Sequence, residues 1–268
     1  MSRFSKLETE TPEQPRPVEK PVVEREASGI EALTPEESVR RGDELFYLGE
    51  FPKALRHYSR ALQEHSTEVR PWAGQILCLL LQDQVREATA WAKRAVETFP
   101  DIPTVVALQG LAFARQGMHK RGLGTSDYAM SLKNADALAW VARGWILLEA
   151  DNRNWQSCFD KAQEQAHGAD WRLEILMGFV LESYRKWVHA VSHYEKAAGH
   201  QTSNYYLWHR LGHCYGKLGV RGKAIEAQRH ALELKPAYQP AEKELRRYGG
   251  LPIGGFFARI GRLFGRGR

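Results

Sequence analysis

The sequence predicts an all-α protein, a stack of six helical hairpins followed by one further helix, and three observations carry that expectation. Glycine recurs at Gly42, Gly110, Gly144, Gly178 and Gly212, spaced by 34 residues or, across Ile76, by twice 34. An interior helical glycine costs roughly 1 kcal/mol relative to alanine, so five in phase imply a steric demand for a missing side chain. Counted from Pro35, units of this length start at Pro35, Val69, Pro103, Ala137, Trp171 and Tyr205. Small residues form two further columns, Ala54, Ala88, Gly122, Ala190 and Ala224, then Ala61, Ala95, Ala129, Ala197 and Ala231, with Gln156 and Gln163 as the fourth unit's exceptions. Residues that end helices, Pro100, Asn134, Gly168 and Pro236, recur near the close of four units.

This spacing divides each unit into two helices, over positions 1 to 14 and roughly 18 to 31, with Gly49, Gly117 and Gly219 in turns between them. Facing helices pack roughly 8 to 10 Å apart, and the near end of that range requires small side chains at the crossing. The columns supply them. Leu45, Leu79, Phe113, Leu147, Leu181 and Tyr215, with Trp72, Val106, Trp140 and Trp208, then fill the space between units that cannot bury their faces alone.

Taken in chain order, residues 1–33 alternate Pro12, Pro15, Pro17 and Pro21 with charges, the composition of a disordered or extended arm. Thr34 opens the first helix as an N-cap, with Pro35 in the first turn and Glu37 completing a capping box. The repeat domain with its final helix spans 34–248. In the fourth unit Trp155, Phe159 and Ala162 stand one residue early, as if the inter-helix turn lost a residue that the turn at His167 and Gly168 restores. Pro240 to Tyr248 reads as a solvating cap helix, rich in charge. Over 249–268 a glycine-rich linker leads into a basic amphipathic tail, in which Phe256, Phe257, Ile260, Leu263 and Phe264 keep helical spacing among Arg259, Arg262, Arg266 and Arg268.

The sixth unit carries Trp208, Leu211, Gly212, Tyr215, Ala224, Ala231 and Pro236, and the first carries Gly42, Leu45, Ala54, Tyr58 and Ala61. On these residues the chain, from Pro35 to Tyr238, resembles the tetratricopeptide repeat (TPR) family. Gln228 departs from the pattern, standing where the second aromatic belongs. The resemblance implies a right-handed α-solenoid of six tetratricopeptide helix-turn-helix repeats plus a C-terminal capping helix. It also implies that the first helices line a concave groove for a protein or peptide partner. The positions so implied hold Leu77, Leu80, Leu81, Ala107, Leu111, Val141, Trp145, Leu148, Ile175 and Phe179 in the centre. Towards the C-terminal end they hold Tyr206, His209, His213 and Lys217, beside Arg172. A partner with an apolar stretch followed by acidic groups suits that gradient, with Trp145 and Phe179 as anchors. The carboxylate clamp of chaperone-binding relatives is disfavoured, because Val39 and Asp43 occupy its places in the first unit.

Composition narrows the remaining classes. Three cysteines, Cys78, Cys158 and Cys214, lack metal-type spacing and read as packing residues of a reducing compartment. No run of about 18 apolar residues and no secretory leader is evident, so a cytoplasmic location is expected, peripheral at the inner membrane surface if the tail lies on anionic lipid. The pairs His189/His193 and His209/His213 are too few for zinc, and no phosphate loop or nucleophile elbow occurs, so neither metal, cofactor nor enzymatic activity is expected. The net charge of +6 keeps an RNA-binding helical array as the alternative, opposed by the apolar centre of the implied groove.

Overall fold

The computed structural model describes residues 33–64, 67–166 and 170–249; the arm and the tail, but for their inner ends, lie outside the described residues. Thirteen helices and no strand occur among those described. They form six consecutive hairpins: α1 (Pro35–Tyr47) with α2 (Phe51–Glu64), α3 (Val69–Leu81) with α4 (Val85–Thr98), α5 (Pro103–Arg115) with α6 (His119–Ser131), α7 (Ala137–Glu149) with α8 (Trp155–Gln165), α9 (Trp171–Ser183) with α10 (Trp187–His200), and α11 (Tyr205–Lys217) with α12 (Arg221–Leu234). The last helix, α13 (Gln239–Arg247), covers α12 by burying Ala241 and Leu245 against Ala231 and Leu232. The first helix starts as its sequence dictates. The Glu37 N–H donates to Thr34 Oγ1 at 3.2 Å, and the Thr34 N–H donates to the Glu37 carboxylate at 2.9 Å. Such a cap stabilises a helix by about 1 kcal/mol.

The glycine column has the steric cause its period implied. A Cβ on Gly42 would stand 2.7 Å from the Tyr58 ring, and one on Gly212 would stand 2.7 Å from the Gln228 amide. Gly144 and Gly178 face Phe159 and Tyr194 more closely still. Gln228 therefore fills the aromatic's space, and its amide donates to His209 O at 3.1 Å. Gly110 faces backbone instead, with Gly122 O 2.9 Å from where its Cβ would lie. In the second unit the volumes are exchanged: Ile76 replaces glycine, and Ala92 stands where Tyr58 and Tyr194 stand in their units, both fully buried. Conserving total volume is what close packing tolerates best.

The turns inside the hairpins form a second column that the sequence half reveals. Gly49, Gly117 and Gly219 have φ of 71°, 83° and 76°, and the equivalent Asp83, Asp151 and Arg185 share that region at 60°, 50° and 56°. Aspartate tolerates this conformation better than most residues; arginine has no such excuse and keeps it because its neighbours on both sides are fixed in helices. In the fourth unit Asp151 holds the turn in register while Phe159 already meets Gly144 one residue early. The missing residue thus falls between Asp151 and Trp155. Its restoration at 167–169 lies outside the described residues.

The array does not stay open. The first hairpin packs across the inside onto the fifth and sixth. Phe46 and Phe51 meet Phe179 at centroid distances of 6.4 and 5.9 Å, Phe179 meets Tyr206 at 5.9 Å, and Tyr47 meets Trp171 at 5.3 Å. Gly49, with no side chain, lets Tyr206 lie against the first turn. Asn204 ties the two ends covalently distant by 157 residues: its Nδ2 donates to Tyr47 O at 2.9 Å, while its Oδ1 accepts from the N–H groups of Tyr206 and Leu207, capping α11.

The close approach of α5 to α6 is open to a direct check. Gly110→Ala is expected to destabilise the fold by about 1–3 kcal/mol in urea denaturation, because backbone, unlike a rotatable ring, cannot turn aside. An unchanged midpoint would mean that these helices do not meet at that point.

Candidate functional site

Closure leaves an inner cavity of about 530 Å³ among the described residues. Its mouth is ringed by the N-terminal ends of α3, α5, α7 and α9, through Val69, Arg70, Thr104, Ala137, Leu138 and Arg172. Its floor is apolar, from Ala73, Gly74 and Leu77 on α3 and Leu173 and Leu176 on α9, with Phe46 and Tyr47 as the wall supplied by α1. Four helix N-termini aimed at one opening bring partial positive charge there. Two of them are answered by their own caps. Asp136 accepts from Ala139 N–H at 2.8 Å and from the Thr104 hydroxyl, and Asp170 accepts from Arg172 N–H at 2.9 Å.

The remaining charges at the mouth are unequal. Asp43 accepts from the Tyr58 hydroxyl at 2.6 Å and pairs with Arg70, so both of its neighbours are engaged. Arg172 lies over the Trp171 ring, 4.7 Å from its centroid, and forms no ion pair among the described residues. It reaches a side pocket of about 340 Å³ along the seam between α1 and α9, where Arg40, Gln201 and Ser203 also stand. Burial, reinforced by Asp43 and Asp170, raises the Tyr47 phenol far above its usual range, so it stays a neutral wall residue.

The residues assigned to an open groove are placed otherwise. Ala107, Leu111, Val141, Trp145 and Ile175 are core, with Trp145 only 1% exposed. Trp145 donates from its indole to the Tyr184 hydroxyl at 3.0 Å and lies under Arg115, which pairs with Glu149 at 2.9 Å and Asp83 at 2.8 Å. Phe179 is the hub of the seam and is likewise buried. The expected anchors therefore hold the protein to itself, since inward-facing side chains from opposite sides meet once the array closes. Leu77 is buried yet lines the cavity, Leu81 is half-buried, and Lys217 is exposed at the far end of α11. Arg70, Asp136 and Asp170 were missed; the last two carry only the signal of an acidic residue just before a helix. The tail residues Phe256, Phe257, Arg259, Ile260, Arg262, Leu263 and Phe264 lie outside the described residues.

The histidines have partners of their own. His193 bonds Glu174 at 2.6 Å, and His209 Nδ1 bonds Gln228 Oε1 at 2.9 Å. Burial pushes the His209 pKa down to about 4, with Gln228 opposing and Arg210 assisting. His213 is also lowered by burial, against the pull of Glu182 and Glu244. The cysteines are free and buried, and burial raises the thiol pKa of each.

Comparison with known proteins agrees with this architecture. The tetratricopeptide repeat model matches residues 205–238, the sixth unit. No curated protein sequence matches the chain. Among solved structures, the human IFIT1 dimer with m7Gppp-AAAA is similar at 15% identity over 81% of this chain and 53% of its own, with a TM-score of 0.54. The chain thus spans about half of that protein, and at this identity the likeness is one of fold. YrrB, described as a TPR protein with an unusual peptide-binding site, aligns at 16% identity over 70% of this chain and 97% of its own, with a TM-score of 0.42. A tetratricopeptide repeat protein from Parabacteroides merdae aligns at 13% identity over 84% of this chain and 88% of its own, with a TM-score of 0.47.

The depressed histidines fix the sign of an acid response. Unfolded histidine takes up a proton near pH 6.5, whereas folded His209 resists to about 4, so the unfolded chain binds more protons in that window. Melting temperature is expected to fall as pH drops through it, and His209→Gln, which can still bond Gln228, should flatten part of that slope. An identical slope in the variant would remove His209 as a cause.

Proposed function

We propose that this chain, a tetratricopeptide repeat protein, is a non-enzymatic scaffold that holds a short extended segment of a protein partner in the cavity at the N-terminal ends of α3, α5, α7 and α9. The observation that carries this reading is the pairing of an apolar floor with Arg172 at the mouth, which forms no ion pair among the described residues. An α-helix with side chains is about 10 to 12 Å across, too bulky for about 530 Å³ enclosed on several sides, whereas one or two side chains of an extended strand fit. An apolar side chain would sit on Leu77, Leu173 and Leu176, and a neighbouring acidic group would face Arg172. The carboxylates of the lining are committed to helix caps and to Arg70, which suits holding a ligand rather than transforming it. Such a scaffold takes the partner chemistry expected from the sequence, apolar then acidic, at a different place from the wall first assigned to it.

In the same reading the basic tail, from Phe256 to Phe264, holds the scaffold at an anionic membrane surface. RNA is the rival ligand, favoured by the net charge and by the m7Gppp-AAAA carried by the IFIT1 structure of similar fold. Steep loss of single-stranded RNA retention with salt is its signature.

Selection from a displayed library of random peptides tests the cavity. Binders are expected to carry an acidic residue next to an apolar one, and to be lost with Ala73→Leu, which fills the floor, and weakened about tenfold with Arg172→Gln. Peptides that bind both variants as well as the parent would contradict the proposal.

A further inference from the structure

The edge of the array opposite the cavity mouth has a composition of its own. It consists of the turns inside the hairpins, where first helices end and second helices begin. In the fifth and sixth units these turns are cationic and lack acids: neither 183–194 nor 212–225 contains an aspartate or glutamate. Arg185, Lys186 and Lys217 are exposed and form no ion pair among the described residues. Arg221 is exposed beside them, its Nε donating to Tyr248 O at 2.7 Å. Arg246 and Arg247 close the patch at the end of α13, each partly answered by a glutamate on its own helix.

Apolar side chains stand out among these charges. Val188 is 65% exposed, Val220 42% and Leu218 37%, and they belong to the two adjacent turns. The turns touch: the Trp187 ring lies 6.1 Å from His213, and Lys217 Nζ lies 5.9 Å from the Trp187 centroid. The third unit's turn shares this composition: residues 102–126 contain no aspartate or glutamate, Lys120 and Arg121 are exposed, and Met118 is 36% exposed. The other turns differ. The same edge of the first two units mixes Glu50, Asp83 and Glu87 with Lys53 and Arg86, and residues 199–206 on the opposite edge of the fifth carry no Lys, Arg, Asp or Glu.

We infer that this edge of the fifth and sixth units is a docking surface for an anionic lipid bilayer. Cations ringing exposed aliphatic side chains match a bilayer boundary, in which lipid phosphates meet the charges and the upper acyl region takes the aliphatics. A nucleic acid would use the cations but leave Val188, Leu218 and Val220 without a partner, because bases stack on aromatic faces and the Trp187 face already carries Lys217. The place where the described residues stop agrees. Residue 249 stands at this same edge, next to Arg221, and the 19 residues beyond it add four arginines and no acid. The surface extends the tail reading above onto the folded repeats, and its residues can be changed with the tail left whole.

Co-sedimentation of the full chain with phosphatidylglycerol-containing vesicles, against pure phosphatidylcholine vesicles, tests it. The parent should pellet with the anionic vesicles alone. Replacing Arg185, Lys186 and Lys217 together by glutamine should weaken partition by more than about tenfold. Val188→Ser with Leu218→Ser should weaken it as well, and Lys186→Arg with Lys217→Arg should retain it, which separates lost charge from lost fold. Undiminished pelleting of the glutamine and serine variants overturns the inference. If only Phe256→Ser with Phe257→Ser abolishes pelleting, the tail reading stands and the edge is excluded. No anionic-vesicle binding by the parent, or loss of RNA retention without loss of vesicle binding in the glutamine variant, also overturns it.

Discussion

The structure depends on the seam by which its first hairpin packs onto its fifth and sixth. In a helical repeat array each unit ordinarily touches only its neighbours, so stability adds up along one dimension. Here Phe179 gathers Phe46, Phe51, Tyr194 and Tyr206 around itself, and Asn204 adds a hydrogen bond to the first hairpin. Contacts of such long sequence separation make the hairpins one cooperative body. They also decide what remains of the interior: a closed core under Trp145, and a cavity where the N-terminal ends of four helices converge.

Much of this was legible in the sequence because it is local. The period of 34, the glycines facing ring or backbone, and the Thr34 cap are relations inside one hairpin, written in residues close along the chain. The column of turns was half legible. Glycine announces positive φ at three units, while Asp83, Asp151 and Arg185 adopt it under the constraint of their helices and give little sign of doing so.

Closure was not legible, for a physical reason. Whether the first unit meets the fifth depends on small rotations between successive units, summed over the array, and no column reports that sum. Trp145 and Phe179 occupy positions that face inward in any such array; only the sum decides whether they meet a partner or each other's units. The cavity was missed on the same ground, since Asp43, Arg70, Asp136 and Arg172 come from four units and converge only after closure. The two ends of the first helices thereby acquire different characters. One gathers a bounded, mixed-charge cavity, and the other presents exposed cations in the fifth and sixth units, so a ligand held in the first would face away from one meeting the second.

The seam is most directly tested by a double-mutant cycle between Phe51 and Phe179, whose rings meet edge to face at 5.9 Å. Each is replaced by leucine, alone and together, and unfolding free energies are compared. Packing across the seam predicts a coupling of about 0.5–1.5 kcal/mol between residues of the first and fifth units. Strict additivity of the two single substitutions, as an open array with separated ends would give, would contradict closure and with it the cavity.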